Sequence, residues 1–238
     1  MHTSLAERAY LSIRERILRG LLPLGEPLSR RLLAAELGMS VIPVSEALQR
    51  LEGDRLVEIR PRAGTRVRIP SERDVREIYE VREALESHAA RLFAQRATRA
   101  QKQDLRTRAE QVDVLFHQLA AGETDAEFQF LVHRSHKEFH MFVAACTGCE
   151  MLSGLIEKNQ VLILNWLFDV AAHRRALPPR FHRELAELLA RGDALAADEA
   201  MRAHIKYGLE ETVVKMQTQA PLEWRLSRVA AAAVVEGG

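Results

Sequence analysis

The feature that most constrains this fold is a pair of short helical patterns in the first third of the chain, joined by the turn Leu37-Gly38-Met39-Ser40. Ser29 and Ser40 precede the two patterns, where a side-chain oxygen can accept from the unpaired N–H groups of a helix start. Pro43 falls in the first turn of the second helix, where a missing N–H costs nothing. The inner face of that helix is predicted to consist of Val44, Ala47, Leu48 and Leu51. Two helices at this spacing predict a helix-turn-helix.

A basic hairpin is predicted directly after these helices. Residues 56–59 and 65–68 alternate like strands around the turn Arg60-Pro61-Arg62-Ala63-Gly64. A helix over residues 5–20 and a turn over residues 21–27 come first in the chain. A helix-turn-helix with a basic hairpin describes a winged helix, whose third helix enters the major groove of DNA. The alternative is a small helical domain with a solvated, charged hairpin.

The distribution of charge also favours a nucleic-acid partner. The whole chain has a formal net charge of +1, but its first 70 residues hold 12 Arg, no Lys and 8 acidic residues. The first 70 residues therefore carry a net charge of +4, and the rest of the chain carries −3. The predicted DNA contacts lie on the outward face of the third helix and on the hairpin. They are Ser40, Val41, Ile42, Ser45, Gln49, Arg50, Arg62, Gly64, Thr65 and Arg66.

These residues resemble the DNA-binding domain of GntR-family bacterial transcription regulators. The similarity covers residues 5–69 and rests on motifs along that whole stretch. The motifs are Pro23-x-Gly25-Glu26-x-Leu28-Ser29, Leu33-Ala34-x-x-Leu37-Gly38-Met39-Ser40, Pro43-Val44-x-Glu46-Ala47-Leu48, Leu56-Val57 and Gly64-Thr65. The resemblance implies a homodimer that binds a pseudo-palindromic site in double-stranded DNA.

The chain departs from the family pattern at the start of its third helix. The family usually has Arg-Thr before the proline and Arg two residues after it, where this chain has Val41, Ile42 and Ser45. Gly is usual at the position of Arg55. The family's usual operator sequence therefore does not carry over, and Val41 and Ile42 could contact thymine methyl groups instead.

The C-terminal two thirds are predicted to form an all-α antiparallel bundle. The helices are expected over residues 71–97, 99–121, 124–146, 149–173, 177–191 and 193–218, with no strands. The predicted division is a DNA-binding domain over 1–69, a hinge over 70–72, an effector domain over 73–218 and a tail over 219–238. The tail is either a last helix or a frayed end.

Histidines are the candidate ligands of this half. His133, His136 and His140 share one helix face, because they are spaced three and four residues apart. His182 and His204 flank the turn at Gly192, and their two arms differ by only about 3 Å in length. Imidazoles that converge inside a bundle predict a transition-metal site. The alternative is a set of scattered histidines that are solvated or hydrogen-bonded.

This half resembles the FCD ligand-sensing domain, the partner of the GntR head in the FadR subfamily. The similarity covers residues 73–218 and rests on Val81-Arg82-Glu83-Ala84-Leu85-Glu86, on Phe139-His140 with Ala145-Cys146-Thr147-Gly148, and on the segment 182–204. The resemblance implies metal ligands at His136, His140, His182 and His204. A carboxylate or amide is usual in the family at the first position, which leaves open whether His133 or His136 is that ligand.

The resemblance also implies a small organic acid as the effector. An all-histidine set favours Zn²⁺ or Ni²⁺, one per chain, over a hard ion. Arg82 is a candidate to clamp an effector carboxylate, and its alternative role is a salt bridge to Glu86 four residues later. Cys146 and Cys149 are given no role, because one pair cannot form a four-thiolate site.

The sequence therefore predicts a metabolite-responsive DNA-binding transcription regulator, not an enzyme. It lacks the His-Glu-x-x-His, nucleophile-elbow and phosphate-loop motifs. Two cysteines, no signal peptide and no transmembrane run lead us to expect a cytoplasmic protein with no membrane partner. The alternatives are a helical metalloenzyme that uses the histidine cluster and a metal-free regulator that senses an anion.

Overall fold

A computed structural model describes residues 4–62, 64–122, 126–170 and 177–218. The N-terminal head contains helices α1 (Leu5–Leu18), α2 (Arg30–Glu36) and α3 (Val41–Gly53). It also contains strands β1 (Pro27–Leu28), β2 (Val57–Arg60) and β3 (Gly64–Val67). The predicted winged helix-turn-helix is confirmed, because α2 and α3 are followed at once by the β2–β3 hairpin.

The core of the head lies between α1 and α3. Ile13 and Ile17 of α1 are buried, and so is the whole predicted inner face of α3. The Ser29 hydroxyl accepts from the Leu32 amide at 3.3 Å and so caps α2. Ser40 occupies the cap position of α3, but its side chain makes no capping hydrogen bond.

The sheet of the head has three strands in the order β1-β3-β2, so the prediction of a turn throughout residues 21–27 was wrong at its end. The Gly25 amide donates to the Val67 carbonyl, and the Val67 amide donates to the Glu26 carbonyl. These bonds bring Pro27 and Leu28 alongside β3. Pro27 has no N–H to donate, and it is tolerated because it is the first residue of an edge strand.

The rest of the described chain is helical, as predicted. The helices are α4 (Glu72–Arg96), α5 (Arg99–Ala120), α6 (Ala126–Ala145), α7 (Glu150–Val170), α8 (Phe181–Ala190) and α9 (Ala194–Thr218). α8 begins later than the predicted residue 177, because the chain first passes Pro178-Pro179 and Arg180, whose φ is +61°. The predicted tail over residues 219–238 lies outside the described residues.

A capping box marks the passage from head to bundle. The Ser71 hydroxyl accepts from the Asp74 amide at 3.1 Å, while the Asp74 carboxylate accepts from the Ser71 amide at 2.9 Å. Arg68, just after β3, donates to Asp74 as well. Burial opposes ionisation of Asp74, but its hydrogen bonds to Ser71 and the charge of Arg68 lower its pKa. Among the helices described, none combines the length and apolar character needed to span a membrane.

Candidate metal centre and DNA-binding surface

Four imidazoles from three helices converge inside the bundle. His136 and His140 lie on α6, His182 lies at the start of α8, and His204 lies on α9. The His140 Nε2 is 3.0 Å from the His136 Nε2 and 3.2 Å from the His204 Nε2. One ring nitrogen each of His136, His182 and His204 lies within 4.8 Å of the others. The structure thus brings all four predicted ligands together.

Two buried carboxylates face the Nδ1 atoms of two of these rings. The Nδ1 of His182 is 2.7 Å from the Asp113 Oδ1 on α5, and the Nδ1 of His140 is 2.6 Å from the Glu86 Oε2 on α4. A proton on each Nδ1 is favoured by the carboxylate that faces it. The lone pair of each Nε2 is then available to a metal, which is the usual carboxylate–histidine–metal arrangement.

Asp113 also fixes the first turn of α8. Its Oδ1 accepts from the His182 amide and its Oδ2 from the Arg183 amide, both at 3.0 Å. Burial would raise the pKa of this carboxyl, but its hydrogen bonds to His182 and Arg183 outweigh burial and lower it. Asp113 is therefore charged, and it positions the backbone and ring of one candidate ligand together.

Glu86 joins the cluster to two further side chains. Its Oε1 accepts from the Arg82 Nε at 2.7 Å and from the Gln160 Nε2 at 2.9 Å. Burial opposes the charge on Glu86, but Arg82 and His140 lower its pKa to about 2. The guanidinium of Arg82 also lies 5.0 Å from the ring centre of Tyr79. The salt bridge that the sequence offered as Arg82's alternative role therefore exists, and it is buried.

The donor set fits a divalent transition metal. Burial, together with the neighbouring imidazoles, lowers the pKa of His136 and of His204 well below the usual value, so both rings are neutral. Two imidazole nitrogens bound about 2.1 Å from one ion lie about 3.0–3.4 Å apart. The observed separations of 3.0 and 3.2 Å match that spacing. Nitrogen donors with no carboxylate bound to the ion suit Zn²⁺ or Ni²⁺ better than a hard cation.

His136, rather than His133, faces the other three imidazoles. Its ring centre is 4.7 Å from that of His140 and 4.8 Å from that of His182. The buried His133 ring lies edge-on to Phe116, with 6.3 Å between ring centres.

The contacts by which Glu86, Asp113 and Gln160 support the cluster were not predicted from the sequence. A signal existed for Asp113, because it interrupts the apolar face of α5 formed by Ala109, Val112 and Phe116. A carboxylate at such a position needs a partner inside the bundle. Nothing in the sequence pairs Gln160 with Glu86, because 74 residues separate them.

The second candidate surface is the outer face of the head. On α3, Val41 is 42% exposed and Ile42 is 71% exposed, and the Ser45 hydroxyl donates to the Val41 carbonyl at 2.9 Å. Ser40 and Gln49 are exposed as well. The start of α3 therefore presents mainly methyl groups outward.

Arg50 lies on the other side of the same helix. It pairs with Glu7 of α1, and its guanidinium lies 4.1 Å from the ring centre of Tyr10. These contacts hold its charge against α1 at the surface of the head, and Arg50 is also predicted to contact DNA.

The predicted wing residues differ in their surroundings. Arg62 lies at the exposed hairpin turn with a φ of +64°, and Gly64 begins β3 two residues later. Arg66 pairs with Glu58 across the hairpin. Thr65 is only 6% exposed, so its side chain packs inside the sheet and does not face outward.

A groove of about 520 Å³ between α2 and the wing was not predicted. Four arginines line it, two from the start of α2 and two from the hairpin: Arg30, Arg31, Arg60 and Arg62. Arg60 pairs with Glu58. The groove therefore gathers positive charge between α2 and the wing.

Two family models match the chain. The model for bacterial regulatory proteins of the gntR family covers residues 5–67, and the FCD domain model covers residues 77–207. The HTH-type transcriptional regulator YdhC of Bacillus subtilis is 28% identical over 206 residues, which are 84% of this chain and 88% of that protein. The HTH-type transcriptional repressor RspR of Escherichia coli K12 is 25% identical over 204 residues, 84% of this chain and 85% of that one.

A solved structure shares the fold. The GntR transcriptional regulator from Rhodococcus sp. RHA1 superposes with a TM-score of 0.69 over 90% of this chain and 99% of that one, at 24% identity. That degree of identity supports the architecture alone, a winged helix followed by a helical bundle.

Proposed function

This chain belongs to the GntR family of bacterial regulatory proteins and carries an FCD domain, and from that premise we propose a metal-dependent sensor of a small organic acid. It is a ligand-responsive DNA-binding transcription regulator and not an enzyme. The proposal concerns what the bundle binds and how: one Zn²⁺ or Ni²⁺ per chain, held by His136, His140, His182 and His204.

The observation that carries this proposal is the convergence of the four imidazoles with two of them backed by carboxylates. Glu86 and Asp113 orient His140 and His182 so that their Nε2 lone pairs face the other rings. Without a cation, the His140 Nε2 would offer a single lone pair to two other ring nitrogens, which lie 3.0 and 3.2 Å from it. A divalent ion resolves this arrangement, and the ion would also offer a Lewis-acidic position to a ligand oxygen.

The charges around the cluster favour an anionic effector. The charges of Glu86 and Asp113 balance those of a divalent ion, and Arg82 then leaves one positive charge in excess. Because Arg82 is only 4% exposed, this charge acts inside the bundle, where water screens it weakly. A small carboxylate would bind to the metal and be attracted by Arg82.

On DNA, we propose that the protein acts as a homodimer on two half-sites. Two-fold symmetry in the protein matches a pseudo-palindrome, with one α3 in each major groove. Val41 and Ile42 would contact thymine methyl groups. The arginines of the groove and the wing, Arg30, Arg31, Arg60 and Arg62, would contact phosphates.

Regulation requires the acid to bind the DNA-competent and DNA-incompetent arrangements with different affinity. A useful coupling is about 1–3 kcal/mol, which corresponds to a change in DNA affinity of about 5- to 150-fold.

The test is a thermal-shift screen of small mono-, di- and tricarboxylates against Zn²⁺-loaded protein. At least one acid should raise Tm in the loaded protein and much less in chelated protein. The same acid should change the affinity for a duplex selected by this protein from a random pool. Acids that stabilise loaded and chelated protein equally would favour the metal-free alternative instead. The proposed effector class would be contradicted if none of the acids stabilised the protein more than its own neutral amide does.

A further inference from the structure

The head is in contact with the same bundle helix that carries His136 and His140. Arg19, which follows α1, donates from its Nη1 to both carboxylate oxygens of Glu127, at 2.8 and 3.1 Å. Its guanidinium also lies 4.7 Å from the ring centre of Phe130. Glu127 and Phe130 belong to the first turns of α6. Phe130 and His136 are about 9 Å apart along this helix, at 1.5 Å per residue.

A second contact joins α7 to the end of the recognition helix α3, the helix predicted to enter the major groove. Asp54, the residue after α3, accepts from the Tyr10 hydroxyl at 2.7 Å and lies 3.4 Å from the Lys158 Nζ. Gln160, two residues after Lys158, donates to Glu86. Glu86 in turn faces the His140 ring. α7 therefore contacts the end of α3 through Lys158 and the Glu86 carboxylate through Gln160. These two positions are about 3 Å apart along the helix axis.

Apart from the buried ring of Phe130, the residues named at this contact surface are polar, and the surface is incompletely packed. A cavity of about 210 Å³ lies within it, lined by Tyr10, Arg14, Asp54, Gly154, Glu157 and Lys158. Glu127 and Lys158 remain largely exposed, so each ion pair contributes little by itself. Relative motion of two domains is expected across an interface of this kind.

We infer that Glu127, Phe130 and Lys158 form a docking surface for the chain's own head, and that metal binding at the cluster strengthens the docking. The inference rests on the proposed metal site. A bound ion would fix α6 against α8 and α9 through His136, His140, His182 and His204. Metal binding would then already have removed the conformational entropy of α6. Docking of the head would lose less entropy, which favours the docked arrangement.

Docking bears directly on DNA binding. The docked head holds the end of α3 at a set position on its own bundle, through Asp54. In a dimer this would fix the distance between the two recognition helices, which the half-site spacing of an operator must match.

The test is hydrogen exchange of the full chain with and without Zn²⁺, with metal content measured in the same samples. In the wild type, Zn²⁺ should slow amide exchange at residues 15–22 and 154–158 by about threefold or more. The double variant Glu127→Gln/Lys158→Gln changes only the bundle side of the surface. It should bind the same amount of Zn²⁺ but lose most of the slowing at residues 15–22.

A matched control removes an exposed ion pair of the same charges within α4, Arg73→Gln/Glu77→Gln, and should behave like the wild type. If the wild type binds Zn²⁺ but amide exchange slows only at residues near the cluster, the docking inference is overturned and the metal site is retained. The same holds if the double variant keeps the full effect at residues 15–22. Absence of bound Zn²⁺ in the wild type would overturn both proposals, and the metal measurement identifies that case.

Discussion

Asp113 holds His182 by both its ring and its backbone: one carboxylate oxygen lies 2.7 Å from the Nδ1 and 3.0 Å from the amide nitrogen. This carboxylate directs the Nε2 lone pair of His182 into the cluster and fixes the start of α8. A candidate ligand is thus oriented by a residue from another helix, 69 positions away in the chain.

The first prediction concerns this carboxylate. In Asp113→Asn only one of the two atoms that accept from the His182 and Arg183 amides remains an oxygen, and the charge that favours the Nδ1 proton of His182 is lost. We expect Zn²⁺ affinity to fall about 10- to 100-fold, as measured by competition with a chromophoric chelator. Glu110→Gln, on the exposed side of the same helix, is the control and should leave affinity unchanged. Equal affinity in the wild type and Asp113→Asn would show that Asp113 does not support a metal ligand.

The second prediction concerns metal preference. His136 occupies the position where the family usually has a carboxylate or amide, so His136→Asp should restore a hard oxygen donor. The ratio of Zn²⁺ to Mn²⁺ affinity should fall about tenfold, because Mn²⁺ gains more than Zn²⁺ from a carboxylate ligand. His117→Asp, at an exposed position on α5, should not change the ratio. A ratio unchanged in His136→Asp would remove His136 from the ligand set.

The third prediction tests backbone strain after the recognition helix. Arg55 has a φ of +59°, in the left-handed region where an L side chain is disfavoured. Arg55→Gly should therefore raise the free energy of unfolding by about 1 kcal/mol in urea denaturation. Arg55→Ala keeps the Cβ atom and should gain less than about 0.5 kcal/mol. Equal stabilisation by both substitutions would assign the effect to the arginine side chain and not to the backbone.

The fourth prediction is a pH dependence of metal-free protein. His204 is 7% exposed, and burial lowers its pKa well below that of an unfolded chain, about 6.5. As the pH falls through 6.5, the unfolded chain takes up this proton first, so stability is full above pH 7 and declines below 6.5.

Removing this histidine should flatten that decline. In the presence of a chelator, the free energy of unfolding should fall between pH 7.5 and pH 5.5 in both proteins. The fall should be about 1 kcal/mol smaller in His204→Asn than in the wild type. His117→Asn should lose the same amount as the wild type, since His117 is exposed. A steeper decline in His204→Asn than in the wild type would reverse the assigned sign.

Helix bounds were predictable where a local signal fixes them. Ser71 and Thr98 each begin a helix with a capping box, and both starts were placed within one residue. β1 was missed because a two-residue strand has no period of its own. It exists only through its pairing with β3, which a sequence pattern does not reveal.

The candidate site was predictable in its ligands but not in its supports. Spacing alone placed His136 and His140 on one helix face, and the fold at Gly192 brought His182 and His204 level, with ring centres 5.2 Å apart. The burial of the Arg82–Glu86 pair depends on packing by other helices, so a surface ion pair could not be told from a buried one by the spacing of the two residues.

The most direct test of the central claim is the metal content per chain, measured by plasma mass spectrometry after Zn²⁺ loading and removal of free metal. The wild type and the exposed-site control His117→Ala should each hold about one Zn²⁺ per chain, and His140→Ala and His182→Ala should hold little or none. Because either variant could fold poorly, circular dichroism must show helical content equal to that of the wild type. Full Zn²⁺ content in a folded His140→Ala or His182→Ala protein, or none in the wild type, would contradict the account.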